Sequence, residues 1–154
     1  MDAYINLALC FKAQFDNVRA LSSLENAMKL KPNDARVYSN IGAILNEQGK
    51  NEDAVVNYLR ALEIEPENAE IMSNMGVALV KINLDYSGLT FEEALRLEPG
   101  NKKIINNYLM SLLISKQFAK FTKILTSVKK LLNEKEFEKY KAMYHKFMKV
   151  SGIH

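Results

Sequence analysis

Apolar residues along this chain recur at the spacing of one helix face, in segments that come in pairs. In one segment Ile41, Ile44 and Leu45 stand three and four residues apart, and after the polar stretch 46–53 a similar spacing returns. Such spacing places side chains on one face of an α-helix. The intervening stretch, NEQGKNED, has the composition of a turn. The pattern therefore predicts an all-α chain built from helical hairpins.

These hairpins repeat with a period of 33 or 34 residues. Each ends at a proline, which cannot continue a helix and restricts the residue before it. The columns that keep these intervals are Pro32, Pro66 and Pro99; Ala27, Ala61 and Ala94; Leu24, Tyr58 and Phe91; and Tyr4, Tyr38 and Met72. Several columns in one register predict an internal repeat, with units at about 1–33, 34–67 and 68–100.

The repeat resembles the tetratricopeptide repeat. The second unit has a fitting residue in every signature column, with Tyr for the usual first Trp: Tyr38, Ile41, Gly42, Leu45, Gly49, Ala54, Tyr58, Ala61 and Pro66. The first unit matches at Tyr4, Leu7, Ala8, Phe11, Ala20, Leu24, Ala27 and Pro32. The resemblance implies a right-handed α-solenoid whose concave groove is lined by the first helix of each unit.

Two later units depart from this pattern. The third is one residue short in KINLDYSGL (81–89) and carries Ser87 where Ala is expected, which predicts an irregular turn. A fourth, at 101–132, keeps the helical period but has Leu109 and Phe121 in place of small residues. We interpret the fourth unit as a degenerate terminal repeat.

Both ends of the stack need cover. In segment 134–150 the aromatic residues at helical spacing are Phe137, Tyr140, Tyr144 and Phe147. We expect a capping helix there rather than a cofactor or membrane stripe, because terminal units of solenoids need a polar outer surface. Residues 1–150 then form one domain, followed by a tail at 151–154. Nothing precedes Tyr4 to cover the first helix, which suggests a piece of a longer array or an open end that makes homo-oligomers.

The charge distribution is uneven although the net charge is only +3. From Ser115 onward there are ten lysines against three glutamates, so this part carries seven excess positive charges and the preceding part four excess negative ones. A basic segment can meet nucleic acid, an acidic partner or a membrane surface. Glutamates and aromatics interleave with these lysines, so we favour a solvated helix face over nucleic-acid binding.

Candidate chemistry is sparse. The single Cys10 excludes an intramolecular disulfide and favours a reducing, cytoplasmic location; we expect its thiol to pack in the core. Only two histidines occur, His145 and His154, and no phosphate loop, zinc motif or nucleophile motif is present. No apolar run approaches the roughly 18 residues of a membrane span. We therefore expect no catalysis, no metal and no cofactor.

One polar residue recurs in all four units. Asn is a poor helix former, yet it stands at 34-, 34- and 33-residue intervals: Asn6, Asn40, Asn74 and Asn107. Each precedes a column that we expect to be buried (Leu7, Ile41, Met75, Tyr108), and so points about 100° away from it. In the family this position faces the groove, and the ladder is similar to that of O-linked N-acetylglucosamine transferases and kinesin light chains, whose repeats hold extended peptides.

The resemblance thus implies a protein-protein interaction module. A carboxamide can pair with both the C=O and the N–H of a peptide backbone. Ser39, Ser73, Arg36 and Lys103 are the expected neighbours that tune specificity. The clamp by which co-chaperone repeats grip a C-terminal carboxylate is absent, since Ile5, Leu9, Glu70 and Asn74 stand where Lys, Asn, Lys and Arg are needed.

Three alternatives remain open. The asparagines could solvate an unused groove or hydrogen-bond a neighbouring repeat. The chain could be a structural segment of a larger array or assembly, with contacts made by open ends and convex faces. It could also be the targeting part of a longer enzyme.

Overall fold

The computed structural model describes residues 2–83 and 86–152, and within these ranges all regular structure is helical. The helices are α1 (Asp2–Ala13), α2 (Asn17–Leu30), α3 (Ala35–Glu47), α4 (Asn51–Ile64), α5 (Ala69–Lys81), α6 (Ser87–Leu97), α7 (Lys102–Ile114), α8 (Phe118–Ser127) and α9 (Glu134–Val150). A short 3-10 turn, Lys129–Leu131, precedes α9. The all-α prediction is confirmed over the described residues. The expected irregular turn of the third unit includes residues 84–85, and the tail includes 153–154; both pairs lie outside these ranges.

The turns between units combine a proline stop with a side-chain cap. After each proline an Asx residue, Asp34, Asn68 or Asn101, begins the next helix. The Asp34 carboxylate accepts from the Arg36 backbone N–H at 3.0 Å, and the Asn68 side chain accepts from that of Ile71 at 3.1 Å. Such caps satisfy N–H groups that the helix itself leaves free. The first helices of units two to four therefore start at equivalent places.

Within each hairpin the two helices approach closely where the sequence has its smallest residues. A Cβ on Gly42 of α3 would lie 2.9 Å from the Tyr58 ring of α4, and one on Gly76 of α5 would lie 2.8 Å from the Phe91 ring of α6. In the first unit the corresponding pair is Ala8 and Leu24, both buried. Larger side chains on the second helix thus accompany smaller residues on the first.

The C-terminal end is closed by α9. Its Tyr140 joins the core cluster of α6, α7 and α8, and the ring of Tyr144 stacks on that of Phe121 with centroids 5.4 Å apart. Leu109 and Phe121, which replace small residues in the degenerate unit, are fully buried in this cluster. A capping box between Asn133 and Glu136 fixes where α9 begins. The expected capping helix is therefore present.

The outer face of α1 differs from the prediction. Cys10 is exposed rather than packed in the core, and Leu7 is 42% exposed although its column was expected to be buried. In later units this column packs on the preceding second helix. Ile41 packs in a core cluster that includes Leu24 of α2, and the ring of Tyr108 stacks on that of Phe91 of α6. No described helix lies in that place for α1, so Leu7 stays exposed while Ile5 and Ala8, on the other side of the helix, are buried.

Candidate functional site

All eight predicted site residues lie on the first helices of the hairpins. Asn6 is on α1; Arg36, Ser39 and Asn40 are on α3; Ser73 and Asn74 are on α5; Lys103 and Asn107 are on α7. Helices α3 and α5 contact each other, as do α5 and α7, because successive hairpins stack side by side. The predicted residues thus form a row across neighbouring helices. Asn40, Asn74 and Asn107 are half-buried, whereas Asn6 is exposed.

The middle of this row forms a pocket of about 350 Å³, which we call the groove pocket. It brings together four predicted residues, Ser39, Asn40, Asn74 and Lys103. The remaining lining residues are Lys12, Ala43, Asn46, Glu47, Tyr58 and Glu70. An adjoining pocket of about 190 Å³ adds Arg36 beside Ser39 and Asn40. Asn6, Ser73 and Asn107 line neither pocket.

Asn107 and Ser73 bond to each other. The Asn107 side-chain N–H donates to the Ser73 hydroxyl oxygen at 3.1 Å, which links α7 to α5. Ser73 is only 1% exposed, so this bond lies between the two repeats. A primary carboxamide has a second N–H and an acceptor oxygen, and Asn107 keeps these. The contact corresponds to the inter-repeat alternative considered for the ladder.

The cations of the row are paired with carboxylates, and each has a partner in a neighbouring unit. Arg36 donates to Asp2 at 2.8 Å and to Asp34 at 2.8 Å, and Lys103 forms an ion pair with Glu70. The bond from Arg36 holds the pKa of the Asp34 carboxyl below its usual range, despite an opposing effect of burial. The charge at one equivalent position, in the first turn of α1, α3, α5 and α7, thus alternates from unit to unit: Asp2, Arg36, Glu70 and Lys103.

The opposite end of the groove pocket is balanced in the same way. Lys12 of α1 pairs with Glu47 of α3 at 2.9 Å, and Lys81 donates to the Asn46 side chain at 2.8 Å. The pocket itself contains two lysines and two glutamates, and each lysine has one of these glutamates as its partner. Its lining is therefore polar but carries no net charge.

Of the six pocket residues that were not predicted as site residues, Tyr58 has the most unusual environment. It stands in a signature column and was assigned to packing, and its ring is indeed fully buried against Gly42. Its hydroxyl nevertheless has no hydrogen-bond partner among the described residues, and Tyr58 forms part of the groove pocket. The available signal was chemical: the same column holds Leu24 and Phe91, which pack without a hydroxyl.

Within the described ranges no group of three or more His, Cys, Asp or Glu side chains could hold a metal ion. None of the helices described is both long and apolar enough to cross a membrane.

Comparison with known proteins identifies the fold. Residues 42–83 match the family model of the TPR (tetratricopeptide) repeat. The crystal structure of a tetratricopeptide repeat protein from Parabacteroides merdae ATCC 43184 matches with a TM-score of 0.77 at 16% identity, over 94% of this chain and 57% of that one. A mutant O-GlcNAc transferase from Thermobaculum terrenum matches with a TM-score of 0.67 at 18% identity, over 72% of this chain and 22% of that one. No curated protein sequence matches this chain.

The predicted resemblance to tetratricopeptide-repeat proteins is thereby confirmed, and so is the helical-repeat solenoid. The chain spans less than two thirds of the length of either solved structure. Tetratricopeptide repeats are in general protein-interaction modules, and their fold is typically a non-catalytic scaffold.

Proposed function

We propose that this chain is a non-catalytic module that holds an extended peptide segment of a partner protein in the groove formed by α1, α3, α5 and α7. The observation that supports this most directly is the groove pocket, in which Asn40 and Asn74 from consecutive repeats line one cavity. Asn6 extends the row in one direction, and the side-chain N–H and oxygen of Asn107 that Ser73 does not use extend it in the other. The other members of the site, Ser39, Ser73, Arg36 and Lys103, adjoin these asparagines.

The chemistry of the groove suits a peptide backbone. Each carboxamide offers donors and an acceptor, and a single hydrogen bond contributes only about 0.5–1.5 kcal/mol. Several bonds in register are therefore needed for useful affinity, as a ladder provides. Because Arg36 and Lys103 already pair with carboxylates, the groove does not favour a strongly acidic peptide. Recognition then depends on backbone amides more than on charged side chains.

Substitution of the two pocket asparagines tests this function. A library of random 15-residue peptides displayed on a surface would supply the tightest-binding sequence, and calorimetry would measure its affinity. We expect Asn40→Ala/Asn74→Ala to weaken binding about tenfold or more, because at least two hydrogen bonds to the peptide are lost.

Asn57→Ala is a matched control. Asn57 lies on α4 and donates to the Asp53 carbonyl at 2.9 Å, so it is outside the groove pocket and its substitution should leave affinity unchanged. Unchanged affinity in the double variant, with circular dichroism and the unfolding transition intact, would rule out the groove as the binding site.

A second candidate function is assembly through the outer face of α1. The observation that favours it is the exposure of Tyr4 (39%) and Leu7 (42%), whose counterparts Tyr38 and Ile41 are half-buried against other helices. An apolar face of this kind fits a homo-oligomer or a larger array. A role as the targeting part of a longer enzyme, a cytoplasmic location and the absence of nucleic-acid binding remain predictions.

A further inference from the structure

The Tyr58 hydroxyl forms no hydrogen bond that joins the described helices. Tyr58 comes from α4, its side chain is fully buried, its ring packs against Gly42 of α3, and the residue lines the groove pocket. The hydroxyl oxygen is buried and has no hydrogen-bond partner among the described residues. A buried unpaired polar group costs stability, so its presence needs a reason.

Packing does not supply that reason. The equivalent residues of the first and third units, Leu24 and Phe91, are also fully buried, and neither has a hydroxyl. Two other buried tyrosines have partners: Tyr108 donates to the Glu92 carboxylate at 2.9 Å, and Tyr140 donates to the Asn106 side-chain oxygen at 3.2 Å. Tyr58 thus has a polar atom that the other two residues of its column lack, and it belongs to a residue that lines the groove pocket.

The surroundings define which group the hydroxyl can meet. Burial raises the pKa of Tyr58, and the nearby charge of Glu47 raises it further, so the hydroxyl keeps its proton and acts as a donor. Glu47 and Glu70 both line the pocket, and their lysine partners Lys12 and Lys103 balance them. Because both glutamates are balanced by lysines of the same pocket, the pocket carries no net charge, and a neutral acceptor such as a peptide carbonyl suits the hydroxyl donor.

We propose that the Tyr58 hydroxyl donates a hydrogen bond to a backbone carbonyl oxygen of the bound peptide, at a subsite flanked by Asn40 and Asn74. This inference rests on the proposed function and locates one contact within it. The neighbouring carboxamides pair with the adjoining peptide groups, so the peptide backbone is recognised at this step whatever side chain the residue carries. Because the oxygen lies below the accessible surface, peptide entry includes rotation of side chains that line the pocket.

Tyr58→Phe isolates the hydroxyl, because Phe91 already fills the same column in the next unit. The probe is the tightest peptide from the random 15-residue library, measured by calorimetry against the full chain. We expect affinity to fall about three- to tenfold, the value of one hydrogen bond. The free energy of unfolding of the free protein should stay the same or rise, because an unpaired buried hydroxyl is removed.

Tyr108→Phe is the matched control with the opposite expectation. It removes a hydroxyl that is bonded to Glu92 away from the groove pocket, so stability should fall while peptide affinity stays unchanged. If Tyr58→Phe leaves affinity within about twofold, or lowers stability as Tyr108→Phe does, the subsite is overturned. If affinity is unchanged in Tyr58→Phe but falls in Asn40→Ala/Asn74→Ala, only the subsite fails; if neither variant weakens binding, the proposed groove fails with it.

Discussion

At the scale of single residues, the hairpins depend on matched sizes between their two helices. Gly42 faces the ring of Tyr58, and Gly76 faces the ring of Phe91. A Cβ added to either glycine would lie only 2.9 or 2.8 Å, respectively, from the nearest ring atom. Ala8 and Leu24 form the corresponding pair in the first unit. Close-packed interiors tolerate neither extra volume nor voids. The combined volume of the two residues in each pair is therefore constrained, and a larger residue on one helix requires a smaller one on the other.

Gly42→Ala tests this matching. The added Cβ meets ring atoms of a buried tyrosine, so we expect the free energy of unfolding to fall by about 1–3 kcal/mol. This steric cost outweighs the gain of about 1 kcal/mol in helix propensity that replacing Gly by Ala brings. Urea denaturation measures the change. The double variant Gly42→Ala/Tyr58→Leu copies the Ala8–Leu24 pair and should show favourable coupling between the two substitutions.

Gly100→Ala provides the control, because a Cβ there would have no heavy atom within 4 Å. Its effect should stay within about 0.5 kcal/mol. A Gly42→Ala protein as stable as wild type would mean that the hairpins can separate at no cost, contrary to the matched-size account.

At the scale of helices, each unit begins where an Asx side chain follows a proline. In α3 this cap is also an ion pair, since the buried Asp34 carboxylate accepts from the Arg36 backbone and from its guanidinium. The folded-state pKa of Asp34 is lowered, and the stability it contributes is therefore present above its unfolded pKa of about 4 and is lost as the pH falls through the folded value.

Asp34→Asn separates the charge from the cap, because Asn caps a helix about as well as Asp. At pH 7 the variant should be less stable by about 1–2 kcal/mol, since a hydrogen bond between charged groups is lost. As the pH falls below the unfolded pKa of about 4 and through the lower folded value, the wild-type carboxylate takes up a proton, so the two stabilities should converge. Urea denaturation at a series of pH values measures this difference.

Glu25→Gln serves as the comparison, because Glu25 is exposed and forms no ion pair among the described residues. Its stability relative to wild type should not follow this pH course. A constant gap between wild type and Asp34→Asn down to pH 2 would exclude the ion pair as a source of stability.

At the scale of the whole molecule, the two ends of the stack are unlike. The C-terminal end is closed by α9, whose aromatic residues pack on α7 and α8. The outer face of α1 leaves Tyr4, Leu7 and Cys10 exposed. In the second and third units, the residues equivalent to Leu7 (Ile41 and Met75) pack in clusters that include the preceding second helix. The apolar face of such a helix is therefore the kind of surface that fits over Leu7.

Leu7→Glu tests assembly through this face. If α1 mediates self-association, light scattering of the wild-type chain under reducing conditions should show a mass that rises with concentration, and Leu7→Glu should restore the monomer mass because a charge in an apolar interface is costly. Leu59→Glu, at a leucine of α4 that is 49% exposed, should not change the assembly. A wild-type mass that stays monomeric at all concentrations would exclude self-association through this face.

Much of the fold could be predicted from the sequence because its determinants are local and repeated. Prolines end the hairpins, and the recurring Gly and Ala columns give the register in which Tyr58 and Phe91 are buried. The prediction for Cys10 and Leu7 was wrong because burial in a stack depends on the neighbouring unit, which the helix's own pattern does not include. The inter-repeat ion pairs of Arg36 and Lys103 could not be predicted, since they join residues of different units.

The sequence by itself thus determined the helical hairpins, their period and the row of asparagines, because each follows from side chains at fixed spacing along one chain. Only the tertiary structure decided which asparagines share a cavity, that Asn107 bonds to Ser73, and that the groove cations are neutralised. It also showed that Tyr58 lines that cavity and that its buried hydroxyl has no hydrogen-bond partner among the described residues. These properties depend on distances between separate helices, which packing sets and periodicity does not.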